Sequence, residues 1–129
     1  MSAIVIDASA ILAAILDEAG GDAVFDLLED AIVSAVNVAE VYTYAAINDL
    51  PTEAIDAFFA DTGIEIVSFD QEQAVTAGRL ASITRKAGLS LGDRSCLALA
   101  KLRQADVLTA DRPWQQVADA AGLTITLIR

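Results

Sequence analysis

The stretch Ala3-Ile4-Val5-Ile6-Asp7-Ala8-Ser9-Ala10 decides the fold class. Four consecutive apolar residues stop at a carboxylate, and a small-residue segment with one hydroxyl follows. An apolar run of this length suits a strand buried on both faces, as in a parallel sheet covered by helices. Ser9 is placed to cap the next helix, which runs to about Asp17 before Gly20-Gly21 breaks it. The same alternation repeats outward. Asp22 to Asp30 reads as an amphipathic helix with Val24, Phe25, Leu27 and Leu28 inward, and Ala31-Ile32-Val33 as a second strand. Helices are expected from about Val36 to Asn48 and, with Pro51 near its first turn, from Pro51 to Asp61. Ile64 to Phe69 reads as a third strand, Asp70 to Lys86 as a long helix stopped by Gly88, and Asp93 to Gln104 as a helix opened by Ser90. Val107-Leu108-Thr109 is a fourth strand, Pro113 to Ala120 a last helix, and Thr124 to Ile128 a final strand. Strands alternating with helices predict an α/β fold with a mostly parallel central sheet flanked by helices. No linker or repeat interrupts the pattern, so residues 1–129 are expected to form a single domain.

Composition removes several chemistries. There is no His, which excludes Ser-His-Asp and Cys-His nucleophilic catalysis and any His-ligated zinc. The single Cys, Cys96, excludes an intramolecular disulfide framework and a thiolate metal cluster, and it reads as a small core residue. No apolar run approaches the roughly 20 residues of a spanning helix, and the start of the chain lacks a basic segment typical of secretory signals. A soluble, cytoplasmic domain without membrane association is expected. The net charge of −11 is unevenly spread. Residues 1–78 carry 15 acids and no Lys or Arg, whereas residues 79–129 carry 8 basic residues against 4 acids. Such a protein repels nucleic acid at long range. A basic rim can still act within a Debye length of about 8–10 Å.

Four acids stand apart from the solvated ones. Asp7 is the only charge between Met1 and Leu16, and it directly follows the first strand. Glu40 is the only charge from Ala31 to Asn48. Asp93 opens a helix whose stripe of Cys96, Leu97 and Ala100 is apolar, and Asp111 comes just after the fourth strand. Ionised carboxylates in apolar surroundings are costly unless paired or metal-bound. In open α/β sheets ligands bind beyond the carboxyl ends of the strands, where these four residues can converge. With no imidazole or thiolate, the pocket is oxygen-only and suits Mg²⁺ or Mn²⁺. One tightly held ion, or two sharing carboxylates, would activate water for phosphoryl displacement. Each acid also has a purely structural alternative. Asp7 can cap a helix, Glu40 can pair with Arg94, Ser90 and Asp93 can form a capping box, and Asp111-Arg112-Pro113 can start a helix. Asn37 shares a helix face with Glu40 and is either a supporting amide or an exposed first-turn residue. Thr109 can orient Asp111. Trp114 and Val117 read as core contacts.

At these residues the chain resembles PIN domains, and within them the VapC toxins of toxin–antitoxin pairs. The resemblance rests on Ile4-Val5-Ile6-Asp7-Ala8-Ser9-Ala10, Asn37-Val38-Ala39-Glu40, Leu89-Ser90-Leu91-Gly92-Asp93-Arg94 and Leu108-Thr109-Ala110-Asp111, in that order along nearly the whole chain. It implies a three-layer PIN-like sandwich and a metal-dependent endoribonuclease that cuts structured RNA and stops growth. Asp7, Glu40, Asp93 and Asp111 would then hold Mg²⁺ or Mn²⁺, supported by Ser9, Asn37 and Thr109. The resemblance further implies a homodimer neutralised by a VapB-like antitoxin whose C-terminal segment covers the site. Arg94, Arg112, Arg85 and Lys86 lie near the motifs and are candidates for gripping RNA phosphates. The acidic first part would attract a basic antitoxin tail, with Leu12, Ile15, Phe25, Leu28, Phe58 and Phe59 offering an apolar groove.

Two other readings compete. The first is a PIN-like module that binds RNA or protein without turnover. The second is a phosphatase or phosphoacceptor domain with Asp7 as nucleophile. Ser9 stands where haloacid-dehalogenase-like phosphatases have a second Asp, and the late-strand Lys of receiver domains is missing.

Overall fold

The computed structural model describes residues 3–129. Five strands form one sheet: β1 (Ile4–Ile6), β2 (Ala31–Ser34), β3 (Glu65–Val67), β4 (Asp106–Thr109) and β5 (Ile125–Leu127). Their order is β3-β2-β1-β4-β5, and every neighbouring pair is parallel. The expectation of a mostly parallel sheet is met by an entirely parallel one.

Eight helices connect them: α1 (Ala8–Ile15), α2 (Gly21–Phe25), α3 (Ala35–Ile47), α4 (Thr52–Asp61), α5 (Gln71–Arg79), α6 (Ala81–Thr84), α7 (Leu91–Arg103) and α8 (Ala118–Ala121). The period-two geometry of each strand divides its residues between two cores. Ile6, Ala31, Val33 and Leu108 point to one face, where α1, α3 and α4 contribute Ile11, Val41 and Ile55. Val5, Ile32, Val107 and Ile125 point to the other, packed by Ala77 of α5, Leu97 and Leu99 of α7, Trp114, Val117 and Ala121. The result is helix, sheet, helix in three layers. Among the described residues no helix is long and apolar enough to cross a membrane.

Several boundaries differ from the sequence pattern. The first helix is capped by Asp7, not Ser9: the Asp7 carboxylate accepts the Ala10 N–H at 3.0 Å. The segment expected as one helix over Asp22–Asp30 splits into α2 and a 3-10 turn at Leu28–Asp30. There Val24 and Leu28 are buried, whereas Phe25 is 48% exposed. The long helix expected over Asp70–Lys86 is divided into α5, α6 and a 3-10 turn at Arg85–Ala87. The last helix begins as a 3-10 segment over Arg112–Val117. The edge strand β3 is shorter than the expected Ile64–Phe69.

Strand order fixes where a ligand site can form. Chain order runs one way from β1 through β2 to β3 and the other way from β4 to β5. The crevice between β1 and β4 is therefore the switch point of the sheet. Ile6 pairs in register with Leu108, so Asp7 after β1 emerges beside Thr109 at the end of β4 and Ala110 and Asp111 after it.

Candidate metal centre

Asp7 is 3% exposed and receives three kinds of donor. The Ala10 N–H reaches Oδ1, the Ser9 hydroxyl lies 2.8 Å from both carboxylate oxygens, and the Thr109 hydroxyl donates to Oδ2 at 2.7 Å. The two hydroxyls are themselves polarised. Ser9 Oγ accepts the Ala110 N–H at 2.9 Å, and Thr109 Oγ1 accepts the Asp111 N–H at 3.0 Å. Each hydroxyl accepts a backbone N–H while lying within donating distance of Asp7, and the two hydroxyl oxygens also lie 3.2 Å apart. The chain after β4 is thus tied to the residue after β1 through two hydroxyl relays. Ser9 and Thr109 both support Asp7, a linkage invisible in sequence because they are separated by 100 positions.

Glu40 enters from α3. The Asn37 side-chain amide donates to Glu40 Oε1 at 2.6 Å and to the Gly92 carbonyl at 3.0 Å. Asn37 is 1% exposed, so the alternative of an exposed first-turn residue is corrected. Both of its neighbours are acceptors, which fixes the amide orientation and leaves Asn37 Oδ1 buried without a partner. The Glu40–Arg94 pair does not form: Arg94 Nη1 donates to the Ala77 carbonyl of α5 at 2.9 Å. Ser90 and Asp93 do form a capping box, with Asp93 Oδ2 accepting the Ser90 N–H at 2.9 Å. Asp93 therefore has a structural job and one remaining carboxylate oxygen. Asp93 and Asp111 line a hollow of about 180 Å³ with Leu89 and Trp114.

The four acids act on one another electrostatically. Burial pushes the Asp7 carboxyl up to about 7 against its hydrogen bonds, and the charge of Asp111 adds to the rise. Glu40 is raised chiefly by burial, then by Asp93 and Asp111, although the Asn37 amide opposes this. Asp111 is raised by burial and Asp93, while Arg129 lowers it. The buried Cys96 thiol is pushed well up by burial and by Asp7, Asp93 and Glu40, which confirms it as an inert core residue facing the same field. Among the described residues the one ion pair is Arg129 with Glu18, so no cation of this kind sits on any of the four acids.

The donor set is consistent with a hard divalent cation, being oxygen-only and, among the described residues, without a lysine or arginine in ion-pair contact. The described residues nonetheless hold no ready-made cage of three or more His, Cys, Asp or Glu side chains. The acids share an electrostatic field. Two features escaped sequence reasoning: the closeness of Glu40 to Gly92, and the electrostatic pull of Arg129 on Asp111. A glycine immediately before a helix-opening Asp was the available signal for the first. Of the candidate phosphate contacts, Arg112, Arg85 and Lys86 are exposed, and Arg94 is engaged with α5. Of the candidate groove residues, Ile15, Phe25 and Phe58 line an apolar hollow of about 340 Å³ between α1, α2 and α4. Leu28 belongs to the core, and Leu12 and Phe59 pack against it.

Comparison with known proteins agrees with this architecture. No curated protein matches the chain significantly in sequence. Among solved structures, DNA-bound VapBC of Salmonella typhimurium superposes with a TM-score of 0.76 at 16% identity, over 100% of both chains. FitAB bound to a DNA fragment gives 0.75 at 22% identity, covering 97% of this chain and 94% of the other. The sarcin-ricin-loop-cleaving toxin VapC20 of Mycobacterium tuberculosis gives 0.73 at 15%, covering 95% and 97%. The PIN domain family matches residues 4–120. The chain therefore belongs to the PIN domain family.

Proposed function

We propose that this protein is a Mg²⁺- or Mn²⁺-dependent endoribonuclease, the toxin of a toxin–antitoxin pair. The observation that carries the reading is that the pKa values of Asp7, Glu40 and Asp111 are raised by burial and further by the charges of Asp93 and Asp111, with no Lys or Arg among the described residues in ion-pair contact with any of the four. Asp7, Glu40, Asp93 and Asp111 would hold the metal. When bound, such an ion supplies Lewis acidity and a water of lowered pKa for in-line attack on a phosphodiester. The chain's own residues prepare that chemistry. Ser9 and Thr109 aim their hydroxyl protons at Asp7 and hold its carboxylate in one orientation. Asn37 does the same for Glu40. Arg112, exposed beside Asp111, and Arg85 and Lys86, in the turn before Ser90, are placed to meet phosphates flanking the cut.

The neutralising partner fits the opposite charge pattern. The Phe25–Phe58 groove lies in the segment that carries 15 acids and no base, so an antitoxin segment combining apolar anchors with basic residues suits it. The solved VapBC relative is a toxin–antitoxin complex on DNA, and we extend that mode of assembly, with a homodimeric toxin, to this chain.

Purified protein incubated with total RNA, with and without Mg²⁺ or Mn²⁺, tests the reading by mapping of fragment ends. Cleavage should require metal and vanish in Asp7→Asn and Asp93→Asn while both variants stay folded. Asn variants that cut like the parent refute it. A PIN-fold binding module without turnover is the competing function, favoured by the missing preassembled cage. Metal-dependent turnover excludes it.

A further inference from the structure

Glu40 differs from the other three acids in what its carboxylate touches. It lies against the first turn of α7 at position 92, where there is no side chain. A Cβ built on Gly92 would stand 2.6 Å from Glu40 Cδ and 2.7 Å from Oε1, and nearer still to Oε2. The three atoms closest to that missing Cβ all belong to Glu40. Gly92 is not among the glycines with positive φ, so the backbone does not demand glycine there. Within a helix glycine is the poorer choice than alanine. Helix propensity is thus given up at the one place where a carboxylate needs the space. The Asn37 amide then bridges Glu40 Oε1 and the Gly92 carbonyl, joining α3 to α7 at this point.

We propose that Gly92 is a positioning residue: its missing side chain, together with the Asn37 bridge, sets where the Glu40 carboxylate stands relative to Asp93. This rests on the metal reading given above. The three closest contacts of a side chain at 92 are all with the flexible end of Glu40, so the fold tolerates it and the carboxylate moves. A shorter acid at position 40 withdraws its carboxylate from α7 and relieves the clash.

Mn²⁺ affinity of the full chain, measured by calorimetry, tests this in the parent, Gly92→Ala, Glu40→Asp and the double variant. Gly92→Ala should weaken Mn²⁺ binding by about tenfold or more, the scale seen when a ligand's supporting contact is lost. Its thermal midpoint without metal should not fall. Glu40→Asp alone should also weaken binding, yet restore affinity when added to Gly92→Ala. With RNA, kcat should follow the same order while KM stays constant. Parental affinity in Gly92→Ala overturns the proposal, and so does a double variant no better than Gly92→Ala. Should Gly92→Ala not fold, Asn37→Ala removes the bridge without adding bulk, and unchanged affinity there overturns it equally. A parent that binds no Mn²⁺ refutes the metal reading instead. The contact is then read from the Asn37 side-chain amide resonances of the metal-free protein. Gly92→Ala must shift them, and unshifted resonances overturn the proposal.

Discussion

Asp7 should make the metal-free protein less stable as pH rises, and Asp7→Asn should remove that dependence. The carboxyl is 3% exposed, and burial lifts it from 3.8 to about 7 in the folded chain. Below pH 3.8 the group is protonated whether the chain is folded or not and contributes nothing. Between 3.8 and about 7 the folded state keeps a proton that the unfolded state has lost, so stability falls by about 1.4 kcal/mol per pH unit. Above 7 both states are ionised and the penalty levels off at about 4 kcal/mol. Asn carries no charge to desolvate. Its amide keeps the Ala10 cap but loses an acceptor for one hydroxyl, which returns about 1 kcal/mol. At pH 8 in EDTA the variant should therefore be more stable than the parent by about 3 kcal/mol. The difference between the two should also grow by about 2 kcal/mol from pH 5.5 to pH 8. Urea unfolding of both proteins at the two pH values measures this directly, and the other acids largely cancel in the comparison. Parallel pH dependences would show that Asp7 is not a desolvated, uncompensated carboxylate, and the physical basis of the site would be lost.

Other consequences can be checked independently. Mn²⁺ at a hundredfold excess over its Kd should stabilise the parent by about 2.7 kcal/mol and leave Asp7→Asn nearly unmoved, as read by thermal midpoint. Trp114→Ala should cost about 3–5 kcal/mol, because Trp114 is fully enclosed in the second core beside the Asp111 segment. Arg112→Ala should raise KM for RNA and flatten its salt dependence without changing stability. Arg94→Ala should instead lower stability by about 1–2 kcal/mol by freeing the Ala77 carbonyl, with little effect on KM. Phe25→Asp should cost about 1–2 kcal/mol of stability, because half its ring is buried edge-on against Phe58, and abolish binding of the antitoxin segment; retained binding removes the groove from the interface.

The acids were legible because charge is conspicuous in an apolar run. Asp7 and Asp111 follow strands, and strand ends are where parallel sheets present ligand residues. The capping box at Ser90 and Asp93 is local chemistry within a four-residue window, so it too was readable. Arg94 shows the limit of such reading. Adjacent helix residues diverge by about 100°, so the neighbour of a site acid points elsewhere, here to α5. The break between α5 and α6 was hidden for another reason. Gly78 lies inside the last turn of α5 without positive φ, so it reads as an ordinary helix position, and Leu80 at the junction is buried in the second core. Phe25 fits a helical apolar stripe, yet α2 ends there and its ring stays half exposed.

The amino-acid order alone determined the alternation of strands and helices, because hydrophobic period and cap chemistry are local properties. It also singled out four carboxylates that stand apart from the solvated acids by following strands or sitting alone in apolar segments. Only the tertiary structure decided that β1 lies between β2 and β4. That placement joins Asp7 to Thr109, and Ser9 to Ala110, through hydroxyl relays and sets Glu40 on the bare turn of Gly92. Such contacts depend on strand order and helix packing, which arise from burying two cores at once and leave no trace in any short window of sequence.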